Sequence, residues 1–208
     1  MKRPLIFIQQ YFAPEPAGSA QQLTDLALGL QERGYPIQVV TGQPSYSSKQ
    51  NLPSRENFKG IEIFRVPKIQ LARRRALGRI LSGTSFFLSA FFKLLSMDRR
   101  ALLVIGSDPP FLSLMGWFFK KIRNQDYDLI VFDIYPDIAV ALGELSPRGV
   151  AVWILEFVNR LSFKEARRVI TLSGEMAKCL REKFPAAQIE NEQLSQNMEC
   201  AQRYSYRS

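Results

Sequence analysis

Apolar positions along the chain alternate between two periods. Leu5-Ile-Phe-Ile8 is a run without polar interruption, as expected of a strand covered on both faces. A proline-rich loop follows. Leu23, Leu26, Ala27 and Leu30 then recur at the spacing of one helix face, with Ser19 placed to cap that helix and Gly34 to stop it. Ile37, Val39 and Val40 open a second strand, a long polar loop covers 41–59, and Ile61, Ile63, Phe64 and Val66 form a third strand. The alternation continues with a strand over 102–105, a helix over 111–123 and a strand over 128–132. A helix from Pro136, another over 150–163, a strand over 168–172 and a helix from the Ser173 cap to Lys183 complete it. Strands and helices in this order predict an α/β fold, a doubly wound, mostly parallel sheet with helices on both faces. The composition turns at Pro185. Residues 186–208 are rich in Gln, Asn, Glu and Ser with no apolar period, and are expected to be a polar, disordered tail outside a domain of residues 1–185.

One segment stands apart from that alternation. Between Arg73-Arg74-Arg75 and Arg99-Arg100 the chain is crowded with leucine and with Phe86, Phe87, Phe91 and Phe92. Arg79 and Lys93 interrupt it, so it falls short of the roughly 20 apolar residues that span a bilayer. Two readings stay open. It is a core helix with solvated basic ends, or an interfacial helix whose phenylalanines dip into an anionic membrane while Arg73, Arg74, Arg75, Arg79 and Lys93 sit at headgroup level. Charge favours the second. From Arg65 to Arg100 there are nine basic residues against Asp98 alone, so this window holds +8 of the chain's net +9. Nucleic acid is a poorer match, because the aromatic residues form a continuous face instead of interleaving with the cations as stacking platforms do.

Composition removes several chemistries. There is no histidine among the 208 residues, which excludes Ser-His and Cys-His nucleophiles and histidine-ligated zinc. Cys179 and Cys200 have no metal-binding spacing and read as reduced thiols. The first residues run directly into an apolar strand too short for a secretory signal, so a cytoplasmic location is expected.

Three groups fall at strand carboxyl ends, where parallel sheets bind ligands. The loop 14–20 leads into a helix N-terminus but has one glycine and no phosphate-loop lysine. Asp133 closes an apolar strand, where a carboxylate is costly unless it is bonded or functional, and Asp137 follows in a helix's first turn. Leu172-Ser-Gly-Glu-Met176 offers Ser173 as a cap or a ligand.

Together these stretches carry a resemblance. Gln10-Tyr-Phe-Ala-Pro-Glu-Pro-Ala-Gly-Ser-Ala20 is similar to the loop after the first strand of family-4 glycosyltransferases of the GT-B fold. Arg65-Val-Pro67, Ser107-Asp-Pro-Pro-Phe111, Phe132-Asp-Ile-Tyr-Pro-Asp137 with its continuation to Gly143, and Ile170-Thr-Leu-Ser-Gly-Glu-Met176 continue the match in order across residues 4–184. The resemblance is to the branch that builds colanic acid, capsule and O-antigen units. It implies the Rossmann-like N-terminal, acceptor-side half of a GT-B enzyme that moves a sugar from a nucleotide-sugar to a lipid-linked saccharide with retention of configuration. No metal and no cofactor beyond the co-substrate is implied. Backbone amides of Gly18, Ser19 and Ala20 would approach the donor, although the family's paired glycines are here Ala17-Gly18. Asp133 and Asp137 are the expected catalytic carboxylates, with Tyr135, Ser173 and Glu175 contacting sugar or acceptor. The family's nucleotide-gripping domain has no counterpart in these residues, so this polypeptide alone is expected to be inactive. The alternative is a non-catalytic subunit that binds acceptor, docks on the inner face of the plasma membrane and pairs with a separate donor domain. No nucleic-acid partner is expected.

Overall fold

The computed structural model describes residues 2–44, 52–69 and 76–191. They divide into two compact units, with the boundary after Leu102.

The first unit contains β1 (Leu5–Ile8), α1 (Gly18–Glu32), β2 (Ile37–Gly42), β3 (Arg55–Phe58), β4 (Ile61–Val66) and α2 (Ala76–Leu95). Its strands lie in the order β3-β4-β2-β1. β1 and β4 both run parallel to β2, in registers that place Phe7 beside Val39 and Ile63 beside Val39. All four residues of β1 are buried, which explains its unbroken apolar run. From α1 the stripe Ala20, Leu23, Leu26, Ala27 and Leu30 is buried, and the helix ends at Arg33 with Gly34 at φ +81° as expected. β3 was not expected. It lies inside the stretch read as a long loop and pairs antiparallel with β4 through the two-residue turn Lys59-Gly60. Both turn residues have positive φ, the conformation a tight hairpin requires, and Asn57 Oδ1 accepts the Gly60 N–H at 3.0 Å. Gln43, beyond the end of β2, takes part in a local pair, its side chain bonding both N–H and C=O of Leu52.

The second unit takes up the chain at Leu103, inside β5 (Leu102–Gly106), and continues through α3 (Ser113–Arg123), β6 (Tyr127–Val131), α4 (Asp137–Ala141), α5 (Val150–Glu165), β7 (Arg168–Thr171), α6 (Gly174–Lys183) and β8 (Ile189–Asn191). The order is β5-β6-β7-β8, every pair parallel. β8 corrects the expected domain limit. The chain does not leave the fold at Pro185, because Ile189 to Asn191 pair with Val169 to Thr171 and Ile189 is buried. A three-residue edge strand with one apolar contact leaves no period for sequence reading to find. The remainder of the expected tail, 192–208, lies outside the described residues.

A buried ion cluster also ties the second unit together. Asp128, fully buried in β6, accepts from Arg167 at 3.0 Å and from Arg168 at 3.1 Å. Parallel strands joined by helices make both units α/β and Rossmann-like.

Candidate functional site

The residues singled out from the sequence sit after two strand ends, one in each unit. In the first unit the chain leaves β1 through Gln9 and Gln10, both buried, and reaches α1 by a loop held from two sides. Thr24, inside α1, accepts the Ala13 N–H at 3.3 Å and donates to the Ala20 carbonyl at 2.7 Å. Arg65, buried near the end of β4, donates to the Ala13 carbonyl at 3.2 Å and pairs with Glu56 at 2.7 Å.

Ser19 does not cap α1. The helix starts at Gly18, two residues earlier than a Ser19 cap would place it, with extended Ala17 in the cap position and no side chain bonding the first turn. No acidic residue lies in that turn either. The N–H groups of Gly18, Ser19 and Ala20 therefore have no partner among the described residues. A Cβ built on Gly18 meets nothing within 4 Å. Gly18 is exposed and Ser19 half-buried, whereas Ala20 is fully buried, so the helix presents the Gly18 end of its positive dipole to open space, an arrangement suited to an anionic or oxygen-rich ligand.

In the second unit the turn after β6 is pinned at both ends. Phe132 N–H donates to Ser107 Oγ at 3.0 Å, and Asn159 of α5 donates to the Tyr135 carbonyl at 2.7 Å. β6 stops at Val131, so Asp133 is carried past the strand to the exposed tip of the turn instead of being buried at its end. Its carboxylate has no hydrogen bond or ion pair among the described residues, while Tyr135 is half-buried beside it. A small, mostly apolar cavity next to the turn has Leu129, Val131 and Phe163 in its wall, with Ser107, Asp133 and Asn159 among its few polar lining residues.

Asp137 is differently placed. Lys183, in the last turn of α6, donates to it at 2.5 Å and to Glu156 of α5 at 2.9 Å. Burial draws the Lys183 pKa down, but the bonds to Asp137 and Glu156 outweigh it and hold it above the ordinary lysine value. Asp137 is thus engaged by a cation, and Asp133 is the carboxylate of the pair open to a ligand. Ser173 caps α6, its Oγ accepting the Met176 N–H at 3.2 Å, and Glu175 is exposed in the same first turn.

The structure brings Asp133, Tyr135 and Asp137 onto one turn and sets Ser173 and Glu175 after the adjacent strand β7. Gly18, Ser19 and Ala20 belong to the first unit. Thr24 and Asn159, which hold the two loops, were missed by the sequence reading. Their one signal was a polar residue on an otherwise apolar helix stripe.

On α2 the expected lipid-facing set needs correction. Phe86 is fully buried, on the stripe that also buries Ala90 and Leu94 against the unit's own sheet. Phe87 and Phe91 are half-buried, and Lys93 lies with its ammonium 3.8 Å from the centre of the Phe64 ring. The exposed apolar face is instead Ile80, Leu81, Leu88, Phe92 and Leu95, with Phe92 67% exposed. Arg79 is exposed, and Arg73, Arg74 and Arg75 lie outside the described residues. Among the described residues no helix is long and apolar enough to cross a membrane, and no group of three metal-ligating side chains occurs.

A model of the glycosyl transferase 4-like domain matches residues 17–190. Among solved structures, sucrose-phosphate synthase from Thermosynechococcus elongatus is similar at a TM-score of 0.67 and 14% identity, over 91% of this chain and 47% of that one. The catalytic domain of starch synthase IV from Arabidopsis thaliana, bound to ADP and acarbose, is similar at a TM-score of 0.62 and 11% identity, over 98% of this chain and 50% of that one. At such identities the likeness is one of fold, and the chain spans about half the length of each. A 3-phosphoshikimate 1-carboxyvinyltransferase from Sulfurisphaera tokodaii is 26% identical over 117 residues, 52% of this chain and 28% of that enzyme.

Proposed function

The chain belongs to the glycosyl transferase 4-like domain family, and from that premise we propose that it is the acceptor-side domain of a retaining GT-B glycosyltransferase. The transfer runs from a nucleotide-sugar to a lipid-linked saccharide in the assembly of exopolysaccharide, capsule or O-antigen units. A second domain, joined or separate, grips the nucleotide. The observation that carries this reading is Asp133, an exposed carboxylate without a partner among the described residues, at the tip of a turn fixed by Ser107 and Asn159. A pre-set, unpaired acceptor group is what hydroxyl recognition requires, since it loses little freedom on binding. Tyr135 adds an amphipathic ring of the kind that packs against a sugar face. The open N-terminus of α1, in the first unit, offers donors of the kind that stabilise the charge of a leaving diphosphate.

The acceptor's lipid requires work at a membrane. We assign the exposed face of α2, with the basic block before it, to an anionic inner-leaflet surface.

The test pairs binding with turnover. Lipid-linked saccharide titrated against the chain is expected to bind, and Asp133→Asn is expected to weaken it about tenfold with unchanged circular dichroism. Across a panel of nucleotide-sugars the 208-residue polypeptide alone is expected to turn over negligibly. Robust transfer by that polypeptide overturns the division of labour. Undiminished acceptor binding by Asp133→Asn overturns the role of the turn.

A further inference from the structure

α5 carries an apolar face that the second unit does not cover. Val150, Trp153, Ile154 and Phe157 are 74%, 67%, 48% and 49% exposed. Their spacing puts them on one stripe over the first half of the helix, and Trp153 stacks on Phe157 with ring centres 5.8 Å apart and planes 9° from parallel. The buried stripe of the same helix, Val152, Val158, Asn159, Ser162 and Phe163, faces the unit's interior, so this exposure is not the core side displaced.

The surroundings are basic. Arg148 precedes the helix, and exposed Arg160 and Lys164 continue the stripe beyond Phe157. The carboxylates of this helix are already engaged, Glu156 by Lys183 and Glu165 by Lys121. Pairing with Lys121 holds Glu165 below the usual glutamate range, so it stays charged and bonded. An aromatic and aliphatic stripe ending in cations, with the carboxylates of its helix held in ion pairs, complements a surface that is apolar inside and anionic at its rim. A symmetric contact with a second copy would bring the same arginines together and is disfavoured by that repulsion.

We propose that the Val150–Phe157 face of α5 docks on an anionic lipid bilayer and thereby sets the Asp133 turn at the membrane surface. This rests on the reading of the chain as a membrane-surface glycosyltransferase, but it concerns a different element from α2. The link to the turn is direct. α5 supplies Asn159, which holds the Tyr135 carbonyl, and Glu156, which shares Lys183 with Asp137. Because α5 runs into the start of β7, its first half lies toward the carboxyl ends of the strands, where Asp133 also sits. A helix seated in the headgroup layer would present that turn to a saccharide tethered to the same bilayer.

Trp117 and Trp153 are the only tryptophans, and α2 has none, so fluorescence isolates this face. In the Trp117→Phe variant, emission is expected to shift to the blue with phosphatidylglycerol vesicles and to be quenched by brominated acyl chains, with no response to phosphatidylcholine. Trp153→Ser with Phe157→Ser is expected to lower vesicle partition about tenfold or more. If Trp117→Phe does not fold, the difference between wild type and Trp153→Phe reports the same quenching. Flotation with vesicles but no change at Trp153 overturns this inference and leaves the α2 reading standing. Loss of flotation in Leu88→Ser with Phe92→Ser, but not in Trp153→Ser with Phe157→Ser, overturns it as well. Absence of flotation overturns both. A blue shift without vesicles, accompanied by a doubled mass, assigns the face to a second copy and overturns the proposal.

Discussion

Tyr127 and Gly116 show how single residues set the geometry behind the Asp133 turn. Tyr127 begins β6, is fully buried, and donates its hydroxyl to the Ser162 carbonyl of α5 at 2.5 Å. α3 can lie against it because residue 116 has no side chain: a Cβ there would sit 2.3 Å from the tyrosine ring. Gly116→Ala is therefore expected to force strand or helix to shift and to cost about 1–3 kcal/mol, read as a lower urea midpoint. Tyr127 also gives a pH dependence. Burial pushes its phenol above the ordinary value of about 10, and the nearby Glu165 charge adds to the rise. The unfolded chain releases this proton near pH 10 while the folded chain keeps it, so the contribution is complete below pH 10 and is lost as pH climbs toward the folded value. Tyr127→Phe is expected to be less stable than wild type by about 1 kcal/mol at pH 8 and to lose less stability between about pH 9.5 and 11. Parallel alkaline slopes for the two proteins would contradict this.

The two candidate-site loops depend on helix residues that point back at them. Thr24 bonds the Ala13 N–H, and Asn159 bonds the Tyr135 carbonyl. Thr24→Val keeps the shape of α1 but leaves Ala13 without its acceptor, at a cost of about 1–3 kcal/mol. Faster hydrogen exchange at Ala13, with the rest of α1 unchanged, is the expected signature. Much at this scale was legible from the sequence, for a physical reason. Strands covered on both faces, such as β1, β5 and β6, write continuous apolar runs, and α1 and α6 write one buried stripe each. β3 and β8 write neither. Arg55-Glu-Asn-Phe58 is an edge with exposed and half-buried positions, and β8 is a three-residue edge in which Ile189 is buried and Glu190 half-buried. The α1 cap was misplaced because Ser19 satisfies a composition rule, whereas the chain turns helical at Gly18 with Ala17 extended before it. Asp133 and Asp137 look equivalent in sequence. They differ in the structure because a lysine 46 residues further on reaches only one of them.

Across the whole molecule, charge and apolar exposure are concentrated rather than spread, and that concentration makes the membrane reading measurable. The window from Arg65 to Arg100 carries +8 of a net +9, and it contains the exposed face of α2. Cations near an anionic leaflet contribute about 1 kcal/mol each, and that contribution fades as the screening length falls from about 30 Å at 0.01 M salt to about 3 Å at 1 M. Replacing Arg73, Arg74, Arg75 and Arg79 by glutamine removes four such charges without touching the apolar face. Binding to phosphatidylglycerol vesicles at low salt is expected to fall by about three orders of magnitude, and the salt dependence should flatten. At about 1 M salt the variant and wild type should converge on the residual partition that apolar insertion provides. If the fourfold variant binds anionic vesicles as tightly as wild type at low salt, the basic block faces water and α2 is not a membrane helix. The Trp153 measurement on α5 then stands or falls by itself, because none of the four arginines belongs to that helix.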